Sequence, residues 1–556
     1  MTTSAHSIIS GTAWSPPAGR PPLSARMMRA TWRRLPAGPY RAGWEPGLVV
    51  PAADGSPLLT DHYFPRAEGD FPTLLVRSPY GRGLPWSPMY GVLFAEQGFH
   101  VVVQSCRGTG GSGGRFHLWR NEAADGRATV AWLRERPWFD GTLGTVGPSY
   151  LGYTQWALAL DPPPELKAMV VQAGLHDPHA YFHAHGALHL ENALITCLGM
   201  THQHRGLAPF LKATLRLQRH MRRVTTAQPL RGAHISALGD EASWLDDVLA
   251  HPDAEDPYWS GARLGKVADR LKVPTALITG WHDVLADQTL DQYARLRRAG
   301  CETSLLVGPW THNSAFQQGW PETFAETLAW LRAHLCADRS ALRTAPVRVH
   351  VGGEDAWREL DAWPPPPAAT SWFPAPGGHL VRQAPTDRAP LASFRYDPAA
   401  PTPSLGGRLL SPTAGPRDNG TLEARDDVLT FTGPPLDEPV DVLGPASARL
   451  TVSSDTGHAV VFTRLCDVDA QGRSVNVCDG IARIRTAGHT PIEVTVPMSA
   501  TAHRFRAGHR LRWQISAGAH PRYARDPGTG ESPLDATAFV PVVVTLHADS
   551  ALTLGS

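Results

Sequence analysis

Three things are scarce in this chain of 556 residues, and each scarcity removes a class of function. Cysteine is the first: six are scattered (Cys106, Cys197, Cys301, Cys336, Cys466 and Cys478), with no C-x-x-C pair. That excludes a disulfide framework and a zinc-finger pattern, and it suits free thiols in a reducing compartment. Excess charge is the second. Lys plus Arg number 52 against 51 Asp plus Glu, a formal net charge of +1. Such a balance exerts little pull on nucleic acid or an acidic membrane surface. The densest basic run, RLQRHMRR (216–223), reads as the solvated face of a helix. Long apolar runs are the third: none could span a bilayer, and the opening MTTSAHSIISGTAWSPPAGRPP lacks the basic-then-apolar order of a signal peptide. The expectation is a cytoplasmic protein that uses neither nucleic acid nor membrane as a partner.

What is present is ordinary globular material, 42% hydrophobic and 19% charged, long enough for two or more domains. Residues 1–45 are rich in Pro, Arg and Ser and read as an irregular extension. The alternation around Asp54-Gly55 predicts a β-hairpin. Short apolar runs then alternate with helical stretches: PTLLVRSPY (72–80), FHVVVQSC (99–106), KAMVVQAG (167–174), PTALITGWHD (274–283) and TSLLVGPWTH (303–312). Strands interleaved with amphipathic helices predict βαβ units and a parallel sheet covered on both faces. This α/β region spans 46–171 and 267–344. The segment 172–266 reads as helices inserted between two strands, placed over the sheet's carboxyl edge, where open α/β sheets hold ligands. From 345 to 556 helical periodicity fades, and short strands between Gly, Pro and Asp turns predict a β-sandwich.

RGTGGSGGRF (107–116) satisfies both G-x-G-x-x-G and G-x-S-x-G. Each pattern needs its glycines to open a helix directly, for a pyrophosphate in the first case and for an exposed serine in the second. Here Gly114 is followed by RFHLWRN, and no acidic residue stands where ribose recognition needs one. The stretch is a loop, and both matches are accidental.

A better elbow is GTVGPSYLGYTQWALAL (144–160): Val146 ends a strand, Gly147-Pro148-Ser149 turns, and an apolar helix begins at Tyr150. The glycine expected at 151 is displaced to Gly152. The competing reading makes Ser149 a helix cap. A serine nucleophile needs a base and a carboxylate, in the order Ser, acid, His beyond successive strands. Asp283 follows one strand and His312 the next. Their plain readings are a helix N-cap and a loop histidine, one of 25 in the chain. His282 competes as base, but in extended chain it points away from Asp283. For the oxyanion, the Tyr150 backbone N–H is one candidate donor. The Tyr80 phenol is a second, with sheet packing as its alternative.

RSPYGRG, RGTGGSGGRF, GTVGPSYLGYTQ, LITGWHD, LLVGPWTH, CDVDAQGRSVNVCDGIARIR and FRAGHRLRWQISAGAHPRYARDPGTGE follow one another from residue 77 to residue 531. Their order resembles that of the cocaine-esterase-like hydrolases, a family that includes X-prolyl dipeptidyl aminopeptidases, α-amino-acid ester hydrolases and cephalosporin acylases. The resemblance runs from about residue 46 to the end. It implies an α/β-hydrolase domain with an inserted helical cap and a C-terminal all-β jelly roll. It also implies Ser149 as nucleophile, Asp283 and His312 as its partners, and Tyr80 with Tyr150 as the oxyanion hole. No cofactor and no metal is implied. The chain departs from the family at Ser105, where an aspartate is usual, and after the loop glycines, where Arg115 replaces an acidic residue. Both changes weaken the expected ionic anchoring of that loop. No acidic cluster in the cap would hold a substrate ammonium, so the aminopeptidase branch is disfavoured.

The expected activity is hydrolysis of a small ester or amide through an acyl-enzyme; transfer of the acyl group to another nucleophile, or cyclisation, uses the same groups. The oligomeric state is open, a homo-oligomer included. Two rivals come from different classes. HDPHAYFHAHGALHL (176–190) gathers His176, His179, His183, His185 and His189, with His202 and His204 beyond, so a metal-dependent hydrolase is one. The pattern lacks H-E-x-x-H and a third-ligand carboxylate. A carbohydrate-binding protein built on the sandwich, with a retired hydrolase domain, is the other.

Overall fold

The computed structural model describes residues 19–32, 34–366 and 369–555. Its centre is a ten-stranded sheet. The strands are β1 (Ala42–Pro51), β2 (Pro57–Pro65), β3 (Thr73–Ser78), β4 (His100–Ser105), β5 (Leu143–Ser149) and β6 (Leu166–Gly174). A two-residue hairpin, β7 (His183–Ala184) with β8 (Ala187–Leu188), stands apart, and the sheet resumes with β9 (Thr275–His282), β10 (Thr303–Thr311), β11 (Val347–Val351) and β12 (Ala356–Leu360). The spatial order is β1-β2-β4-β3-β5-β6-β9-β10-β11-β12. Every pair from β4 to β11 runs parallel, and the antiparallel pairs sit at the two ends. All six residues of β3, and all six of β4, are buried, as apolar runs of this kind require when helices cover both faces.

The helices of this half of the chain are α1 (Leu23–Thr31), α2 (Leu93–Glu96), α3 (Glu122–Arg134) and α4 (Tyr150–Leu158), then, within the inserted segment, α5 (Pro178–Phe182), α6 (Leu190–His202), α7 (Leu207–Thr225), α8 (Ile235–Leu238), α9 (Trp244–Leu249) and α10 (Gly265–Ala268), and finally α11 (Ala286–Arg298) and α12 (Trp320–Leu335); α2, α3, α4, α11 and α12 pack on the sheet. The basic run 216–223 lies on α7, whose buried residues are confined to Ala213, Leu217, Val224 and Thr225.

Two expectations are corrected. The N-terminal extension carries an ordered helix, α1, and residues 1–18 of that expectation lie outside the described residues. A boundary at 344/345 is also displaced. β11 pairs in parallel with β10, and β12 folds back on β11, so the first sheet extends to Leu360 before the chain leaves it. VRVHV offers a strand pattern that is equally at home in either sheet, and its partner is decided by tertiary contact.

Beyond residue 368 the chain forms an all-β sandwich. One layer pairs 440–454 with 492–505, 542–547 and 551–555; the other pairs 458–468 with 474–485 and 510–516. Trp513, Phe505, Leu465 and Val544 fill the space between the layers. Among the described residues no helix is long and apolar enough to cross a membrane.

Candidate active site

Ser149 ends β5 with φ 56° and ψ −122°, a left-handed conformation that costs an L-residue about 1–3 kcal/mol. α4 starts at the next residue, and the Ser149 side chain makes no capping hydrogen bond to it, which rules out the helix-cap reading. The sharp turn depends on two glycines. A Cβ on Gly147 (φ 149°) would lie 2.6 Å from the Leu151 side chain, and one on Gly152 would lie 2.6 Å from the Cα of Gly174. The displaced glycine therefore serves the close approach of α4 to β6.

Asp283, fully buried just past β9, accepts a hydrogen bond from His312 Nδ1 at 3.0 Å and from the Leu285 backbone N–H at 2.8 Å. Both bonds fall on one carboxylate oxygen; the second closes an Asx turn ahead of α11, whose N-cap position is Leu285 with no side-chain cap, so the expected helix-cap reading of Asp283 is corrected. A carboxylate only accepts, so Nδ1 of His312 carries a proton, and in the neutral ring that leaves the lone pair on Nε2. Ser149 and His312 line one cavity. His282 faces the other way, towards Arg408 and His503 of the sandwich, and burial holds its pKa down near 4.

The Tyr80 hydroxyl lies 3.5 Å from Ser149 Oγ and within hydrogen-bonding reach of the Tyr150 backbone N–H. Burial pushes its pKa up to about 12, so the phenol keeps its proton and remains a donor. The ring stacks on Trp86, with centroids 5.6 Å apart. Tyr150 is fixed from its other end: its phenol donates to Glu122 Oε1 (3.1 Å) and accepts from Trp119 N–H (3.0 Å). Glu122 in turn pairs with the buried Arg77 at 3.0 Å. Nothing in the sequence pattern singled out Glu122, because an acidic residue in the first turn of a helix is ordinary.

The glycine-rich loop is well anchored, which corrects the expectation raised by Ser105. Ser105 Oγ accepts from Arg82 (2.8 Å), whose Nε donates to Asp61 (3.1 Å) and whose Nη1 also donates to the Gly110 carbonyl (2.9 Å). Asp61 supplies the carboxylate that Ser105 does not. Arg107 grips Asp125 through Nη2 (2.6 Å) and Nε (3.1 Å) and also pairs with Asp54. Ser112 is consumed structurally, donating to the Ser105 carbonyl and accepting from Leu59 N–H.

The cavity at Ser149 measures about 700 Å³. Its wall is mainly aromatic and aliphatic, with Trp86, Trp119, Tyr181, Phe182, Phe210 and Phe316 prominent beside the neutral amides Gln203, Asn313 and Gln317, and among the described residues no Asp or Glu lines it. Among the contributors that the sequence did not single out, three come from distant segments. Leu410 comes from the sandwich, held by Asn192, Met28 comes from α1 and Trp32 from the residue just after it.

The cap histidines disperse. His176 meets Gln292 and Asp291, His179 the Pro252 carbonyl, His202 the Leu238 carbonyl and His204 the Gly110 N–H, while His189 lies edge-on to Tyr523. His179 and His183 stack at 5.4 Å, but α5 ends between them. Among the described residues no group of three or more His, Cys, Asp or Glu side chains could hold a metal ion, so the rival metal reading loses its ligand set.

A parallel sheet crossed by a strained strand–serine–helix turn, with a cap inserted after β6 and a sandwich behind, defines an α/β-hydrolase. Comparison with known proteins narrows the class. Residues 54–314 match the X-Pro dipeptidyl-peptidase (S15 family) model, and residues 340–553 match that of the X-Pro dipeptidyl-peptidase C-terminal non-catalytic domain. The cocaine esterase of Rhodococcus sp. (strain MB1 Bresler) is 32% identical over 534 residues, covering 87% of this chain and 92% of that one. Among solved structures, an aminopeptidase from a marine-sediment Thaumarchaeota archaeon superposes with TM-score 0.80 at 21% identity, covering 93% and 96% of the two chains. An α-amino acid ester hydrolase superposes with TM-score 0.78 at 20% identity over the whole of both chains. The protein belongs to the cocaine-esterase-like family of α/β-hydrolases, and it is a serine hydrolase of ester or amide bonds.

Proposed function

We propose that Ser149, His312 and Asp283 form the catalytic triad and that the substrate presents a neutral, apolar acyl group. The observation that carries this is the left-handed Ser149 at the mouth of α4, in one cavity with an imidazole whose far nitrogen is bonded to a buried carboxylate. Ser149 Oγ attacks the acyl carbon while His312 Nε2 takes its proton, and Asp283 stabilises the imidazolium. The carbonyl oxygen gains negative charge and accepts from the Tyr80 hydroxyl and the Tyr150 N–H. Collapse expels the alcohol or amine, protonated by His312, and leaves an acyl-serine. Water, deprotonated by the same imidazole, attacks this ester and restores Ser149.

The cavity wall supports the choice of acyl group. An ammonium buried among Trp, Phe and Leu without a counter-ion would be strongly disfavoured, and among the described residues no carboxylate stands on that wall. The test compares wild type with Ser149→Ala on neutral p-nitrophenyl esters and on an α-amino acyl ester. A fluorophosphonate probe should label Ser149 in the wild type. The variant should lose both label and turnover, the latter by at least about 10⁴-fold. Full turnover by the variant refutes the triad; preference for the α-amino acyl ester refutes the neutral-acyl reading.

A further inference from the structure

α1 lies outside both segments matched by the family models, yet it reaches the reacting serine's cavity. Its sequence, LSARMMRAT, places Ala25, Met28, Arg29 and, one residue beyond, Trp32 at the i, i+3, i+4, i+7 spacing of a single helix face. That face turns inward. Ala25 is buried, Met28 and Trp32 are half-buried on the cavity wall, and Leu23 and Met27 on the other side are exposed.

Two contacts hold the helix down. Arg29 Nε donates to Glu96 Oε2 at 2.8 Å, on the last residue of α2. Trp32 meets Trp320 at the start of α12, ring centroids 6.3 Å apart. From Trp320 a row of rings leads inward to Phe316 (6.5 Å) and from there to His312 (6.4 Å). A second row leads through Tyr90 (5.8 Å) and Trp86 (6.3 Å) to Tyr80 (5.6 Å). Trp32 thus stands at the outer end of two rows of rings that diverge at Trp320 and whose inner ends are the proposed base and the proposed oxyanion donor.

We propose that α1 is a specificity wall of the hydrolase: Met28 and Trp32 form the apolar surface on which long acyl groups pack. The inference rests on the triad reading and deepens it by naming the acyl groups selected, those long and apolar enough to reach the helix. A short acyl group such as acetyl sits at Ser149 and gains nothing from α1. A long chain replaces water along the wall and gains in proportion to the apolar area it covers. Without the Trp32 ring the wall opens and that gain is lost.

The experiment measures kcat/KM for p-nitrophenyl octanoate and p-nitrophenyl acetate and follows their ratio. In Trp32→Ala and in Met28→Ala combined with Trp32→Ala, the octanoate-to-acetate ratio should fall by about fivefold or more, within the range that a few methylenes in an apolar pocket command. Trp32→Phe keeps an aromatic wall and should hold the ratio near wild type, as should Met27→Ala on the exposed side. Arg29→Ala, which frees the helix from Glu96, should lower the ratio in the same direction, and the charge-reversed pair Arg29→Glu with Glu96→Arg should restore it. Fluorophosphonate labelling and the melting temperature report that each variant is folded; should Trp32→Ala not fold, Met28→Ala and Arg29→Ala carry the measurement. A smaller change in a folded, labelled variant, or a rise in the ratio, overturns the proposal. Loss of the triad reading shows separately, as turnover by Ser149→Ala.

Discussion

A single side chain does two jobs at several points of this site, and the pairings are what make individual residues informative. Asp283 closes the Asx turn ahead of α11 and holds His312 Nδ1 with the same oxygen. Tyr80 packs on Trp86 with its hydroxyl 3.5 Å from Ser149 Oγ, so its packing is compatible with the proposed donor role. Tyr80→Phe separates them, since the ring stays and only the donor goes. Removal of one oxyanion donor should lower kcat by about 10²–10³-fold with little change in KM. Activity within about threefold of wild type would leave Tyr80 with its packing role alone. Because burial raises the phenol's pKa to about 12, alkaline inactivation through loss of this donor should begin well above the ordinary tyrosine value of 10.

At the scale of elements, the elbow is a matter of how closely α4 sits on β6. Gly152 and Gly174 meet backbone to backbone, and a side chain at 152 has nowhere to go, since the nearest atom is a Cα rather than a flexible tip. Gly152→Val should therefore push the helix off the sheet and move Ser149. Overpacking of this sort costs about 1–3 kcal/mol. The measurable outcome is a lower melting temperature together with loss of fluorophosphonate labelling; a variant with wild-type labelling would show that the turn tolerates the displaced helix. This element was legible from the sequence because a strand, a small-residue turn and an apolar helix are neighbours in the chain. The consecutive placement of Asp283 and His312 after strands was legible for the same reason. The hairpin around Asp54-Gly55 and the helices α6, α7 and α9 of the inserted segment followed from local periodicity. α1 was passed over because nine residues among prolines and arginines give a weak signal, although the spacing of Ala25, Met28 and Trp32 was there to be read.

Across the whole molecule, buried and half-buried histidines stand within the cap and where the cap and the sheet meet the sandwich. Burial holds the pKa of His282, His520 and His183 near 4 and that of His189 near 3, against an ordinary value of 6.5. In the folded protein these rings stay neutral, whereas in the unfolded chain they take up protons as pH falls below 6.5. Their contribution to stability is thus complete above pH 6.5 and is lost progressively towards pH 4. The melting temperature should decline steeply across that window, and His282→Gln combined with His520→Gln should flatten the decline. A melting temperature unchanged from pH 7 to pH 4.5 would contradict the linkage. The same interface delivers Leu410 to the cavity and ties Arg408 to the Trp281 carbonyl at 2.9 Å, so loosening it should also reach the active site.

Chain-local chemistry was enough to specify the kinds of element, their succession, the turn that presents Ser149 and the strand ends that carry Asp283 and His312. Hydrophobic period, glycine placement and capping act over a few residues, and so they can be read along a line. Which sheet receives β11 and β12, which carboxylate stands in for the one missing at Ser105, and which distant segments wall the cavity were settled only by folding. Those contacts join residues from tens to hundreds of positions apart, and their partners are selected by burial and shape complementarity in three dimensions. No local pattern encodes that choice.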